Sequence, residues 1–257
     1  MSDLAPLIEV LRTIEPYLSD IVLVGGWVPI VYEQCTSIYP TKTVRTADID
    51  FACHPPLVVR GETMDSLLKK ACFTCELSGG TSVPFSKYVN KLGLEIEFLT
   101  PLKGPGTERV TELQRGLTAE PLRYLDVLLE HVEEVNIDEG LCVRVPSMSA
   151  FLFQKGLSFP HRRSFLKRDK DLYYIFKVVE TVNPEYLIAS LDTVFKAHPP
   201  KWRSRFFNNL RQYFEEEHSV GVISVVGQLL QTPSERDDRD ILRMKVFTTM
   251  QEFLDHF

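Results

Sequence analysis

The chain has 257 residues, 44% hydrophobic and 25% charged, with a formal net charge of −6. That length allows one large domain or two small ones, and the composition is that of an ordinary globular protein. The acidic balance argues against wholesale non-specific nucleic-acid binding, though it allows a local basic patch; no run of about eighteen apolar residues is present to span a membrane, and the start Met1-Ser2-Asp3-Leu4 lacks the character of a secretory leader, so a cytoplasmic protein is expected.

Apolar spacing over residues 4–18 predicts a short amphipathic helix. Ile21-Val22-Leu23-Val24-Gly25 reads as a buried strand, and Gly26 opens a helix over 27–35 in which Pro29 falls in the tolerated first turn. Residues 36–46, around Pro40, read as a polar loop. Residues 47–52 form a strand whose Asp48 and Asp50 share one face while Ile49 and Phe51 take the other. Pro55-Pro56 ends it. A helix over 62–72 is followed by strands over 73–78, 85–90 and 93–99, with turns at Gly79-Gly80 and Asn90-Lys91-Leu92-Gly93. Residues 100–121 carry Pro101, Gly104, Pro105 and Gly106 and read as a long exposed loop. Residues 122–131 read as a helix, and 133–145 as two short strands around Asp138-Glu139-Gly140.

After Pro146 the pattern turns helical. Ser147 or Ser149 is placed to cap a helix running to about Lys155. Breaks at Ser158-Phe159-Pro160, Asn183-Pro184, Pro199-Pro200 and Thr232-Pro233 divide the rest. The expected fold class is α+β: a mixed sheet with flanking helices over residues 1–146, then a C-terminal helical bundle over 147–257. Five scattered cysteines are expected to be reduced thiols. Cys72 and Cys75 have metal-knuckle spacing without a second pair, which predicts two half-buried thiols rather than zinc.

The chemistry concentrates on the aspartate strand. Two carboxylates held that close repel unless a cation sits between them, and hard divalent ions take oxygen ligands. A glycine turn entering a helix offers backbone N–H groups to phosphate. Leu94-Glu95-Ile96-Glu97-Phe98 places Glu95 and Glu97 on one face of a later strand, so either can be a third carboxylate. Three converging carboxylates hold two divalent ions, one on a triphosphate and one on an attacking hydroxyl.

In this order, Gly25-Gly26, Asp48-Ile49-Asp50 and Glu97 resemble the DNA-polymerase-β-type nucleotidyltransferase superfamily. Within it the chain is most similar to AbiEii-like proteins, the toxin components of type IV toxin–antitoxin systems. The run Thr46-x-Asp48-x-Asp50, Glu97 before Phe98-Leu99-Thr100-Pro101, and Lys155 followed by Lys170-Asp171-Leu172-Tyr173 carry that likeness. The resemblance spans roughly residues 20–180. It implies a nucleotidyltransferase-type sheet and Mg2+, as two ions with Mn2+ as a substitute, on Asp48, Asp50 and Glu97. It further implies nucleotide contacts from Gly25, Gly26, Trp27, Thr46, Lys155 and Arg162, with Asp171 orienting Lys155 or the acceptor. The implied activity moves a nucleoside monophosphate from an NTP to an acceptor hydroxyl, such as a tRNA 3′ end, and implies a cognate antitoxin as partner.

Two other functions compete. The acceptor would be a small molecule such as an aminoglycoside if a deep acidic pocket lies beside Asp48. The long spacing from Gly26 to Asp48, and a glutamate as third acid, also fit a catalytically degenerate nucleotide-binding module. His161-Arg162-Arg163 with Lys167-Arg168 would grip RNA, bind triphosphate or form a solvated face. Lys201-Trp202-Arg203-Ser204-Arg205-Phe206-Phe207 either stacks bases or buries its aromatics in an amphipathic helix. No Gly-x-Ser-x-Gly, Walker A or His-Glu-x-x-His pattern appears.

Overall fold

A computed structural model describes residues 4–37, 46–78, 84–102, 104, 111–230 and 239–257. They divide into two compact units, Met1–Ser147 and Met148–Phe257. The turn expected at Gly79-Gly80, the break at Thr232-Pro233 and most of the expected 36–46 loop lie outside the described residues.

The first unit opens with helix α1 (Ala5–Thr13), which buries Leu7, Val10 and Leu11. The helix stops there, and a 3-10 turn follows at Glu15–Tyr17. Pro16 explains the break, because it brings no N–H for the carbonyl one turn back and disfavours helical geometry before it. Strand β1 (Val22–Val24) leads through the two glycines into α2 (Trp27–Cys35). Then come β2 (Asp48–Ala52), α3 (Met64–Lys70), β3 (Thr74–Ser78), β4 (Phe85–Val89) and β5 (Glu95–Pro101). Thr63 caps α3 by accepting from the Ser66 N–H at 3.2 Å.

The seven-stranded sheet runs β1-β2-β5-β4-β3, with one further strand pairing β5 off this path and a last strand pairing that one. β2 and β5 are parallel, and the neighbours on either side are antiparallel to them. Ile49, Phe51, Ile96 and Phe98 are buried on one face. There Phe51 and Phe98 pack at 6.0 Å, and Tyr88 meets Phe98 edge-on at 6.3 Å. Each fully buried side chain of this size contributes about 2–3 kcal/mol.

The expected loop over 100–121 is corrected in part. β5 extends to Pro101, and a hairpin of β6 (Thr111–Gln114) and β7 (Leu117–Leu122) turns at Gly116, whose φ is +83°. β7 pairs with the end of β5. Proline and glycine at 101–106 mask this short alternation of buried Leu113, Leu117 and Ala119. Gln114 ties the hairpin inward. Its amide oxygen accepts from Met64 N–H at 2.9 Å, and its amide nitrogen donates to Tyr17 Oη at 3.1 Å and Leu57 O at 3.2 Å. A short helix α4 (Asp126–Glu130) and an antiparallel hairpin of β8 (Val132–Asp138) and β9 (Leu141–Pro146) complete the unit.

The second unit is helical: α5 (Met148–Ser158), α6 (Phe165–Thr181), α7 (Pro184–Ala197), α8 (Pro200–Tyr213), α9 (Val220–Leu229) and α10 (Arg239–Asp255). Ser149, a candidate cap, sits inside α5 and bonds Ser190 Oγ at 2.6 Å. Asn183 caps α7, and Pro184 takes the first-turn position that suits it. α5 is buried almost throughout. Phe206 of α8 lies so close to Gly156 that a Cβ there would sit 2.4 Å from its ring. Among the described residues no helix is long and apolar enough to cross a membrane. All five cysteines are free; Cys72 is exposed, not half-buried as expected. Burial, with the charge of Asp20, pushes the Cys53 thiol up to about 12.

Candidate metal and nucleotide site

Antiparallel pairing sets Val24 against Asp50, so the aspartate strand passes directly beside the glycine turn. Gly25 has φ +72°, and a Cβ on it would stand 2.1 Å from Asp50 Oδ2. Glycine is therefore demanded twice here, by backbone conformation and by the carboxylate that fills the side-chain space. Gly26 is the N-cap of α2 and supplies no side-chain cap. Among the first-turn residues of α2, Trp27 and Val28 carry N–H groups while Pro29 has none, so the helix end presents few donors for an anion.

Parallel pairing of β2 and β5 places Asp48 beside Glu95 and Asp50 beside Glu97. All four carboxylates occupy the face opposite Ile49, Phe51, Ile96 and Phe98, and all are half-buried. Farther along, that face turns apolar: Ala52 and Leu99 pack with Val22, Val24, Leu125 and Leu128. The acidic groups thus stand toward the starts of β2 and β5, and the far end of that face packs against Leu125 and Leu128. Among the described residues, Asp48, Asp50 and Glu97 do not bring one oxygen each to within 4.8 Å of one another, as a closed three-ligand metal cluster would.

A basic residue that the sequence reading did not name stands among these acids. Lys87 on β4 pairs in register with Glu97. Its Nζ lies 2.5 Å from Glu95 Oε2 and 3.4 Å from Glu97 Oε1, with the side chain 21% exposed. Burial works against the charged ammonium, but the hydrogen bond to Glu95 and the two negative charges outweigh it. The Lys87 pKa is held above the ordinary lysine value. The signal was present in Phe85-Ser86-Lys87-Tyr88-Val89: with Tyr88 in the core, alternation puts Lys87 on the acidic face.

Trp27 is 4% exposed, and its indole Nε1 is buried without a hydrogen-bond partner. Thr46 Oγ1 accepts from the Asp48 N–H at 3.4 Å. Both residues line a cleft of about 580 Å3 with Ile30, Glu33, Ala47 and Leu94, next to the first residues of β2 and β5.

Lys155, Arg162 and Asp171 lie in the second unit. Lys155 Nζ donates to Asp171 Oδ1 at 2.5 Å, and Arg162 Nε donates to Oδ2 at 2.7 Å. Asp171 is 3% exposed. Its burial favours the neutral acid, yet the charges of Lys155 and Arg162 prevail and hold the carboxyl below the usual aspartate range. Lys155 also lies over the Phe151 and Tyr174 rings, at 5.4 and 5.8 Å. Of the basic run, Arg168 stacks on Phe165, while Arg163 and Lys167 are exposed. In the second basic stretch Phe206 and Phe207 are buried, so they belong to a core and do not form an open stacking platform.

The donor set can be judged against a divalent ion. Asp48 and Asp50 provide hard oxygen ligands on adjacent same-face positions, and Asp50 is seated by the glycine turn. Glu97 has a cation already at its carboxylate. Asp48 and Asp50 therefore offer oxygen ligands suited to an ion, while the Glu97 carboxylate is already paired with Lys87.

No curated protein matches the chain. Among solved structures it is similar to "Crystal structure of an antigenic nucleotidyltransferase-like protein from Paracoccidioides brasiliensis", at 17% identity and a TM-score of 0.40, covering 80% of this chain and 93% of that one. The family described as Nucleotidyltransferase matches residues 2–198. That span takes in the glycine turn, the aspartate strand and the helices carrying Lys155 and Asp171, and with most of its length matched the chain belongs to the nucleotidyltransferase family.

Proposed function

We propose that the chain transfers a nucleoside monophosphate from an NTP to an acceptor hydroxyl, using divalent-metal chemistry at Asp48 and Asp50. The observation that carries this reading is the seating of Asp50 against Gly25 in a chain of the nucleotidyltransferase family. The acceptor oxygen forms a bond to the α-phosphorus, the bond to the bridging oxygen breaks, and pyrophosphate leaves. The hydroxyl proton passes to a carboxylate of the acidic face. Mg2+ bound there would offset charge on the phosphates and lower the barrier to displacement. The backbone at Gly25 and Gly26 and the start of α2 would lie against the triphosphate, with Trp27 and Thr46 beside it. The family resemblance gives Lys155 and Arg162 a further part in binding the triphosphate, with Asp171 orienting Lys155 or the acceptor.

An AbiEii-like toxin acting on RNA in the cytoplasm, restrained by an antitoxin, is the leading form of this proposal. Exposed Arg163 and Lys167 supply the local positive charge that an RNA backbone needs. The second form has a small amine-bearing acceptor, favoured by the cleft beside Thr46 and Ala47, whose lining includes Glu9 and Glu33. Four labelled NTPs, offered with total RNA, protein or aminoglycosides, test both forms. Label is expected on RNA in the wild type and on nothing with Asp48→Asn or Asp50→Asn. Transfer unchanged by both substitutions would reject the assignment.

A further inference from the structure

The acidic face carries four carboxylates on two adjacent strands, and one ammonium is already among them. Lys87 is fixed there by its own strand: β4 pairs with β5 on one side, in register with Glu97, and with β3 on the other, where Glu76 is its register partner. It touches Glu95 and Glu97, the two acids of β5, and leaves the two acids of β2 to other partners. Resting on the function proposed above, we infer that Lys87 is a built-in second cation: the chain binds one divalent ion, at Asp48 and Asp50, and Lys87 takes the position that a second ion would hold through Glu97.

The chemistry favours this division. A second ion at Glu97 would have to displace an ammonium tethered by the backbone and in contact with two carboxylates. A covalently attached cation keeps its place at any metal concentration, whereas a second ion must be recruited. Lys87 is a positioning residue in this scheme: it neutralises Glu95 and Glu97 and holds them away from the ion at β2. The sequence implied a two-ion site, and the donor geometry supports one ion plus a lysine.

Metal binding can be read without activity, by calorimetry and electron paramagnetic resonance of Mn2+ on the full chain. Wild type is expected to bind one Mn2+, lost in Asp48→Asn. Lys87→Met is expected to gain a second ion, and Lys87→Met with Glu97→Gln to return to one. In the wild-type background Glu97→Gln, which keeps the shape of the side chain, is expected to change Mn2+ affinity less than about tenfold, since losing a nearby screened charge is a small effect. Two ions in wild type, no gain in a folded Lys87→Met, or a loss beyond tenfold in Glu97→Gln overturns the inference and leaves the proposed function standing. No Mn2+ bound by wild type overturns the metal-dependent function itself.

Discussion

Gly25 shows how one residue couples backbone and chemistry. Alanine at this position would adopt a left-handed conformation costing about 1–2 kcal/mol, and its Cβ would collide with the Asp50 carboxylate. Gly25→Ala is expected to lower the melting temperature by about 2–8 °C and to abolish Mn2+ binding while far-ultraviolet circular dichroism stays unchanged. Asp48 and Asp50 were legible because period-two alternation assigns a face without knowledge of the fold. Lys87 was not. Alternation places it on the same face, but only the pairing of β4 with β5, set by contacts distant in sequence, brings it to Glu97. Asp171 teaches the converse. The resemblance implied that it orients Lys155 or the acceptor, and its carboxylate is buried between Lys155 and Arg162. Lys155→Met would leave that charge with one partner. A loss of about 3 kcal/mol is expected, as for a broken buried pair, measured by urea denaturation, with Lys155→Met plus Asp171→Leu less damaging than the single change.

At the scale of elements, strands with strong alternation and helices with caps were read close to their true limits, whereas residues 111–122 were not. The β6–β7 hairpin is held partly by Gln114, and nothing in a single polar residue announces that it will satisfy Met64 N–H, Leu57 O and Tyr17 Oη together. Gln114→Leu orphans the first two inside the unit. Each such group costs about 1–3 kcal/mol, so a total near 3 kcal/mol or more is expected. Amide hydrogen exchange would show protection falling at Met64 and along β7. The single helix expected over 4–18 failed for a local reason: Pro16 fits a 3-10 turn better than a continuing α-helix.

At the scale of the whole molecule, pH acts on the second unit through paired acids. Asp171 is lowered by Lys155 and Arg162 against the pull of burial, and Glu180 is lowered by Lys177 and Lys245 in the same way. A lowered native pKa contributes stability above the unfolded carboxylate range, about 3.9–4.3. That contribution is lost as pH falls through the lowered native values. The melting temperature is expected to be level from about pH 7 to 5 and to fall steeply below about 4, with Asp171→Asn flattening the fall. An unchanged acid limb in that variant would remove Asp171 as a cause.

The chain contains two tryptophans, and each unit holds one. Trp27 follows the glycine turn with its indole nitrogen unsatisfied, and Trp202 lies stacked on His198 with ring centroids 5.5 Å apart. The protein thus carries a native fluorophore next to the turn where a nucleotide would dock, and a Trp202→Phe variant would turn ligand titration into a one-colour optical readout free of any attached dye.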